Sequence, residues 1–467
     1  MKVPVVALLL FFFQINLTMA EEAWHGEWIT ARDSQSESNT WICFRKDFNM
    51  QDTVEGAIAK IAVDSKYWLW INGKLVVFEG GVKRGPNPRD TYYDEVDITP
   101  YLKKGQNVVA VLLWFYGKDS FSHNSSGKAA LLFDCVAPGI HLVSDATWRA
   151  GLHPAFEHAQ GEKPNFRLSE SNIRFDARKD IDKWYDIGYQ DTSRIFIPVV
   201  TLGTAPTAPW NHLVKRGIPF WKDLGLKDYQ SVTRKEGVGV DTLVCKLPYN
   251  AQITPWFKME AEAGQLIEIK TDNYRGGGPQ NVRAEYVTKA GMQEYESLGW
   301  MNGEYVYYLV PKKLTMHRVK YRETGYDTEF AGNFVSNDSF LNTLWSKSAR
   351  TLYVTMRDNF MDCPDRERAQ WWGDLVIQLG QVFYTFEPKS HELIRKAIHE
   401  LVDWQRDDDI FFSPIPAGNW NKELPGQILA SIGYYGFWNY YLNTGDIENI
   451  KHVYEPVRNY LNVWQLT

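Results

Sequence analysis

The stretch "SNDSFLNTLWSKSARTLYVTM", residues 336–356, divides the chain into two kinds of pattern. Before it, apolar and polar residues alternate, as in "HRVKYRE" at 317–323, which is the period of a half-buried strand. From Ser336 onward apolar residues recur every three or four positions, the period of a helix. Within the stretch, Phe340, Leu341, Leu344, Trp345, Leu352 and Met356 form one stripe, and Ser336 or Asn337 can cap the start.

Four more helices are expected downstream. The second carries Trp372, Val376, Leu379 and Phe383, and Pro388 stops it. The third carries Leu393, Ile394, Ala397, Ile398, Leu401 and Trp404. A long loop, Asp407–Glu423, leads to a fourth from about Leu424 to Leu442, whose Tyr434, Tyr435, Trp438, Tyr440 and Tyr441 read as packing residues. Asp446 is a good cap for the fifth, with Ile447, Ile450, Tyr454, Val457, Leu461 and Trp464 as its stripe.

Upstream of 336 the chain reads as β structure. "GAIAKIAVDSKYWLWINGKLVVF" (56–78) holds strands around an Asn72-Gly73 turn, a strong hairpin signal. "VDITPYLKKGQNVVAVLLW" and "AALLFDCV" complete a first unit at 21–140, expected as a β-sandwich. Residues 141–235 are less regular and rich in turn residues, and predict a second β-rich domain with a linker. Residues 236–332 return to alternation and predict a third unit, another β-sandwich, with Gly276-Gly277-Gly278 as a flexible loop. Residues 333–467 form the helical unit. At about 100–200 residues per domain, 467 residues fit three or four domains.

Lys2, the apolar run Val5 to Phe13 and small residues before a cut after Ala20 predict a signal peptide at 1–20, hence export to the periplasm or beyond. The run is too short to cross a bilayer, and no later stretch replaces it. Cys43, Cys135, Cys245 and Cys363 lie far apart, so no zinc site is indicated and no cofactor or metal is expected. One Cys43–Cys135 disulfide is allowed in an exported chain; small buried hydrophobes are the preferred reading. A net charge of −6 offers no field for nucleic acid. The 19 Trp, 25 Tyr and 24 Phe fill cores, and they also stack on sugar rings.

The densest chemistry is "DCPDRERAQWWGD", Asp362 to Asp374, in the loop entering the second helix. Pro364 keeps Cys363 out of helical geometry and leaves Asp362 on an extended rim. If helical, Glu367 and Asp374, seven apart, share a face, and Trp371 lies four after Glu367 on that side. Such a group suits glycoside cleavage. One carboxylic acid protonates the leaving oxygen, neighbouring carboxylates hold hydroxyls, and an aromatic plane covers the ring. Arg366 or Arg368 can orient one carboxylate. A solvated, ion-paired helix start is the plainer reading of the same charges. Trp420 can stack on sugar at the loop mouth. Glu423 reads as a loop or sugar-binding acid.

The motif resembles the signature of bacterial α-L-rhamnosidases of glycoside hydrolase family 78. "KYWLWINGKLV", "VDITPYLKKGQNVVAVLLW", "FDARKDIDKWYDIGY" and "ELPGQILASIGYYGFWNYYLNTGD" look like other segments of that family. The resemblance implies β-sandwich (jelly-roll-like) domains followed by an incomplete (α/α)6 barrel, and hydrolysis with inversion that removes terminal α-L-rhamnose from glycans or glycosides. It implies Glu367 as general acid, with Asp362 and Asp374 binding the sugar or assisting. Arg366, Trp371, Trp372, Trp420 and Glu423 are the expected substrate contacts. Three departures stand out: Gln370 replaces a common glycine, Trp372 replaces a small residue, and Asp362 is one residue closer to Glu367 than in many members. Other readings are a non-catalytic carbohydrate-binding protein and an (α/α)6 hydrolase of another sugar; the oligomeric state stays open.

The family's general base is a late glutamate, and no position before Thr467 matches it, so the helical run is expected to continue in a longer protein. On that reading these 467 residues cleave an aryl rhamnoside slowly or not at all, which a direct assay of the purified chain checks.

Overall fold

A computed structural model describes residues 23–32, 37–81 and 85–465. The expected leader at 1–20 lies outside them. Among the described residues three sheets precede six α-helices. The first two sheets pack face to face. One runs in the order Ile197–Pro198, Arg149–Leu152, Thr40–Met50, Gly105–Phe115, Lys66–Ile71, Lys74–Gly80. The other has seven strands, with Glu27–Thr30, Leu131–Ala137, Ile58–Val63 and Thr91–Asp97 at its centre. Alternate residues of each fill the space between them: Phe44, Leu69, Val111 and Leu113 meet Ile29, Ile61, Val63 and Phe133. The Asn72-Gly73 turn forms as the sequence indicates. Both residues have positive φ, and Ile71 pairs with Lys74.

Gly105–Phe115 is buried from Asn107 onward because both faces of its sheet are covered. Behind it Trp41, Trp68, Trp114 and Tyr116 pack on Ile173, Trp184 and Phe196. This second layer comes from segment 141–235, which builds no sheet of its own. Its Arg149–Leu152, Val200–Thr204 and Leu213–Lys215 join the first sandwich. Its Ile173–Asp176, Lys222–Lys227 and Ser231–Lys235 join the third sheet. The segment stitches the two β units together.

The third sheet has ten strands. Its spine is Val240–Ala261, a single strand of 22 residues. The register against Met301–Pro311 shifts between Lys246 and Ala251, around Pro248, and the strand's other edge passes from Ser231–Lys235 to Thr315–Gly325.

The helices are α1 (Ser339–Val354), α2 (Trp372–Thr385), α3 (His391–Asp403), α4 (Pro425–Ile432), α5 (Asn439–Thr444) and α6 (Ile447–Gln465). Asp338, one or two residues past the expected caps, accepts the Phe340 N–H and starts α1. In α2 the buried face is Trp372, Leu375, Leu379 and Val382, rotated from the expected Val376 and Phe383. The stripe of α3 is buried as read. The expected fourth helix is interrupted by a π turn at Tyr434–Trp438 that separates α4 from α5. Of the residues read as packing, Tyr440 is buried there, whereas Tyr434, Tyr435 and Trp438 are exposed in this chain. In α6, Val453 and Tyr460 face the core, whereas Ile447, Tyr454, Leu461 and Trp464 are exposed; Phe340, Leu341 and Leu344 of α1 are exposed too.

One guanidinium joins all three units. Arg357, just past α1, is fully buried. It donates to Glu79 of the first sandwich at 2.6 Å and to Gln252 of the third sheet at 2.6 Å. Trp221 and Trp300 cover it at 4.8 and 4.9 Å. Lys66 also binds Glu79. Burial pushes the Glu79 carboxyl up, yet the charges of Arg357 and Lys66 hold it below its ordinary value. Breaking one partner of such a pair leaves a buried charge uncompensated. Arg357→Met should therefore lower unfolding free energy by roughly 3–5 kcal/mol. In denaturant titrations, Glu79→Gln combined with Arg357→Met should lose less than the sum of the two single losses.

Candidate active site

The loop between α1 and α2 carries the acidic motif and closes on itself. Asp362 N donates to Ala369 O at 2.9 Å, Ala369 N returns to Asp362 Oδ1 at 3.1 Å, and Arg368 N reaches Cys363 O at 3.2 Å. Arg368 has φ +54°, a left-handed residue that turns the chain back toward α2. Its guanidinium leaves the acids and enters the β region, where it pairs with Glu170 at 3.1 Å and lies 3.4 Å from the Trp300 ring centre. Arg368 is thus an anchor, and orientation of the acid falls to Arg366.

Glu367 lies on this turn. α2 begins only at Trp372, so the helical face expected for Glu367, Trp371 and Asp374 does not form. Proximity arises otherwise. Trp371 Nε1–H donates to Glu367 Oε2 at 2.7 Å. The other oxygen, Oε1, faces Arg366 at 3.0 Å and Arg167 at 3.4 Å. Glu367 is only 6% exposed.

Asp362 shares this environment. Its Oδ2 accepts from Cys363 Sγ at 3.2 Å and lies 3.8 Å from Arg366. Its carboxyl is pushed up to about 6, first by burial and further by the negative charge of Glu367, against the Cys363 hydrogen bond. Asp374, on the first turn of α2, is also raised, by partial desolvation and then by Glu367. Asp365 points away from them to Asn302, and burial lifts it to about 7 despite the Arg368 charge.

Trp371 opens onto an aromatic wall. Phe121 lies 5.9 Å from it and 5.2 Å from Trp420, and Trp371 and Trp420 are 5.8 Å apart. Phe166, 66% exposed, adds an edge, and Arg167 lies over its ring at 4.9 Å. Trp420 Nε1 donates to Ser413 O, which holds its ring at the rim.

Two expected contacts fall elsewhere. Trp372 is fully buried beneath the site, packed edge-on against Phe437, because its position on α2 faces the helical core. Glu423 is exposed and turned to Arg406 at 3.5 Å, with no contact to the acids of the motif among the described residues. The departure at Gln370 is also internal: its amide donates to Glu400 and Ile415 O, tying the loop to α3. Of the three departures, Gln370 and Trp372 therefore alter the support under the site, leaving its sugar-facing wall to other residues.

Phe121, Phe166 and Arg167 were missed. They stand more than 195 residues from Glu367 in sequence, and only the fold brings them close. A lone Phe in the polar loop "KDSFSHNSSGK" was the available signal. The Gly276-Gly277-Gly278 loop also belongs here. A Cβ on Gly277, at φ +81°, would lie 2.7 Å from Arg366 Cδ, so glycine lets that arginine lie flat toward the acids.

Residues 329–466 match the family model of the bacterial alpha-L-rhamnosidase 6 hairpin glycosidase domain. A curated alpha-L-rhamnosidase of Formosa agariphila is 23% identical over 470 residues, covering 90% of this chain and 46% of that protein. The chain spans about half the length of the curated relatives it matches. The GH78 family rhamnosidase of Bacillus sp. GL1 superposes with a TM-score of 0.83 at 18% identity, over 94% of this chain and 69% of that one. A Streptomyces avermitilis alpha-L-rhamnosidase complexed with L-rhamnose gives 0.74 at 20% identity, over 91% and 42%. The solved structures share the fold of this chain, and the family model covers its helical part.

The raised Asp362 carboxyl sets a pH dependence. The folded chain keeps this proton up to about pH 6, whereas an unfolded aspartate loses it near 3.8. The native state thus binds more protons in that window, and stability falls as pH rises through it, by roughly 3 kcal/mol at most. Asp362→Asn should remove that loss in urea titrations compared at pH 4 and pH 8. Glu367→Gln should move the Asp362 titration, followed by carboxyl-carbon NMR, part of the way back toward the ordinary aspartate range.

Proposed function

We propose that this chain, a relative of the family 78 α-L-rhamnosidases, supplies the proton donor and sugar-binding wall of a site that removes terminal α-L-rhamnose. Glu367 is the general acid. The observation that carries this reading is its setting: a nearly buried carboxylate held through one oxygen by the Trp371 indole and through the other between two guanidiniums. Those contacts fix the direction of the acid, which proton transfer to a glycosidic oxygen requires.

In this reading Asp362, Asp374 and Arg366 hold sugar hydroxyls, and Trp371 with Phe121 and Trp420 covers the apolar face of the ring. Ring contact of this kind suits a 6-deoxy sugar, whose methyl group enlarges its apolar surface. An inverting reaction also needs a carboxylate about 6.5–9.5 Å from the acid to activate water. Glu423, turned to Arg406, is not assigned that role. Export through the N-terminal leader belongs to the same proposal.

The test is Glu367→Gln in the protein that carries this chain. Turnover of an aryl α-L-rhamnoside should fall by about 10²–10⁴-fold. Calorimetric binding of L-rhamnose should persist in that variant and weaken markedly in Trp371→Ala. Unchanged turnover in Glu367→Gln would sink the assignment, and a protein that binds rhamnose with no turnover to lose would be a sugar-binding module.

A further inference from the structure

Beyond Trp420 the surface opens into a cleft of about 1210 Å³. One wall belongs to the first sandwich, with Asn87, Arg89 and Asn124 on two of its loops. The other belongs to the loop after α3, with Gln405, Asp407 and Asn419. Trp420 lines the cleft and also touches Trp371, the hydrogen-bond donor to Glu367. The cleft therefore begins on the proton donor's own side of the site.

We propose that this cleft binds the neutral oligosaccharide from which the terminal rhamnose is cut; the proposal rests on the rhamnosidase reading above. The leaving group of a glycoside departs on the side of the acid that protonates its oxygen. A sugar chain leaving past Glu367 and Trp371 meets Trp420 next and then the cleft. Size agrees: pockets for one small molecule occupy about 300–1,000 Å³, and this one is larger. Its lining of side-chain amides and carboxylates, with half-buried Trp420 as a stacking surface, suits a ligand whose hydroxyls both donate and accept.

Charge decides between neutral and acidic chains. Arg406 is bound by Asp408 and faces Glu423, so it offers no open cationic site. Asp403 is likewise held by His452, and Asp407 stands among the neutral amides of Asn87, Asn124, Gln405 and Asn419. A uronate-bearing chain would find no open cluster of cations there to receive its charge.

The walls are also fixed relative to each other. Gly418 N donates to Ser120 O and His123 O, both at 3.1 Å, so the two loops are clasped directly. A Cβ on Gly418 would come within 2.4 Å of Asp119 Oδ1, which shows how closely they meet. Trp404 Nε1 donates to Gly85 O at 3.0 Å and fastens the floor to the sandwich. A preformed cleft spares a flexible glycan part of the ordering cost of binding.

Calorimetry on the Glu367→Gln variant of the protein that carries this chain, which leaves the probes uncut, tests this. The probes are methyl α-L-rhamnoside and neutral oligosaccharides of two to four units that end in α-L-rhamnose on rhamnose, glucose or galactose. At least one oligosaccharide should bind about tenfold tighter than the methyl glycoside. Asp407→Ala and Asn419→Ala, both at exposed positions, should remove most of that gain and leave methyl rhamnoside affinity unchanged. If every oligosaccharide binds no tighter than the methyl glycoside, or the gain survives both substitutions, the cleft assignment is overturned and the rhamnose reading stands. Tighter binding of a rhamnosyl-uronate disaccharide than of its neutral counterpart would overturn the neutral assignment. Failure of methyl α-L-rhamnoside itself to bind would remove the underlying reading, and this proposal with it.

Discussion

Trp300 lies between two buried arginines, and the placement of the acidic loop depends on that contact. Arg357 stands before the loop and Arg368 within it, with ring distances of 4.9 and 3.4 Å. Each then finds a carboxylate from a different part of the β region, Glu79 for Arg357 and Glu170 for Arg368. Cations buried this deeply are tolerated only when fully partnered. A shift of the loop would strand at least one of them, so the eleven residues from Arg357 to Glu367 have little freedom. Glu367 sits immediately before Arg368 and inherits its position.

This arrangement explains why a turn serves the acid better than the helix expected for it. On a helix, Trp371 four residues on would lie parallel to the Glu367 side chain. On the turn, the indole N–H points at the carboxylate, and Arg366 and Arg167 approach the second oxygen from elsewhere. The left-handed Arg368 makes that geometry possible, and its buried ion pair compensates the backbone cost.

What the sequence disclosed follows from the range of the interactions involved. The Asn72-Gly73 hairpin and the α3 stripe were legible because turn chemistry and one fully covered face determine them locally. The density of acids and tryptophans from Asp362 to Asp374 was legible for the same reason. The α2 stripe was misread by one position because Val376 and Phe383 are as apolar as Leu375 and Val382, so periodicity alone could not select the face. Segment 141–235 looked like a domain because its strands are short, and their partners lie far away in the chain. Phe121 and Arg167 were invisible because a local pattern carries no record of which loop meets which.

The same long-range contacts give the first sandwich a part in the chemistry proposed for the helical unit. It contributes Phe121 to the aromatic wall, Glu79 to the arginine that precedes the acidic loop, and one side of the cleft beyond Trp420. The segment that stitches the β units together adds Arg167 against the acid itself. Separating the sandwich from the helices would expose the charges of Lys66, Glu79 and Arg357 at one time, and would open the site wall in the same step. The physical cost of that exposure ties the two units together, so the surface that meets a sugar belongs to the seam between them more than to either one.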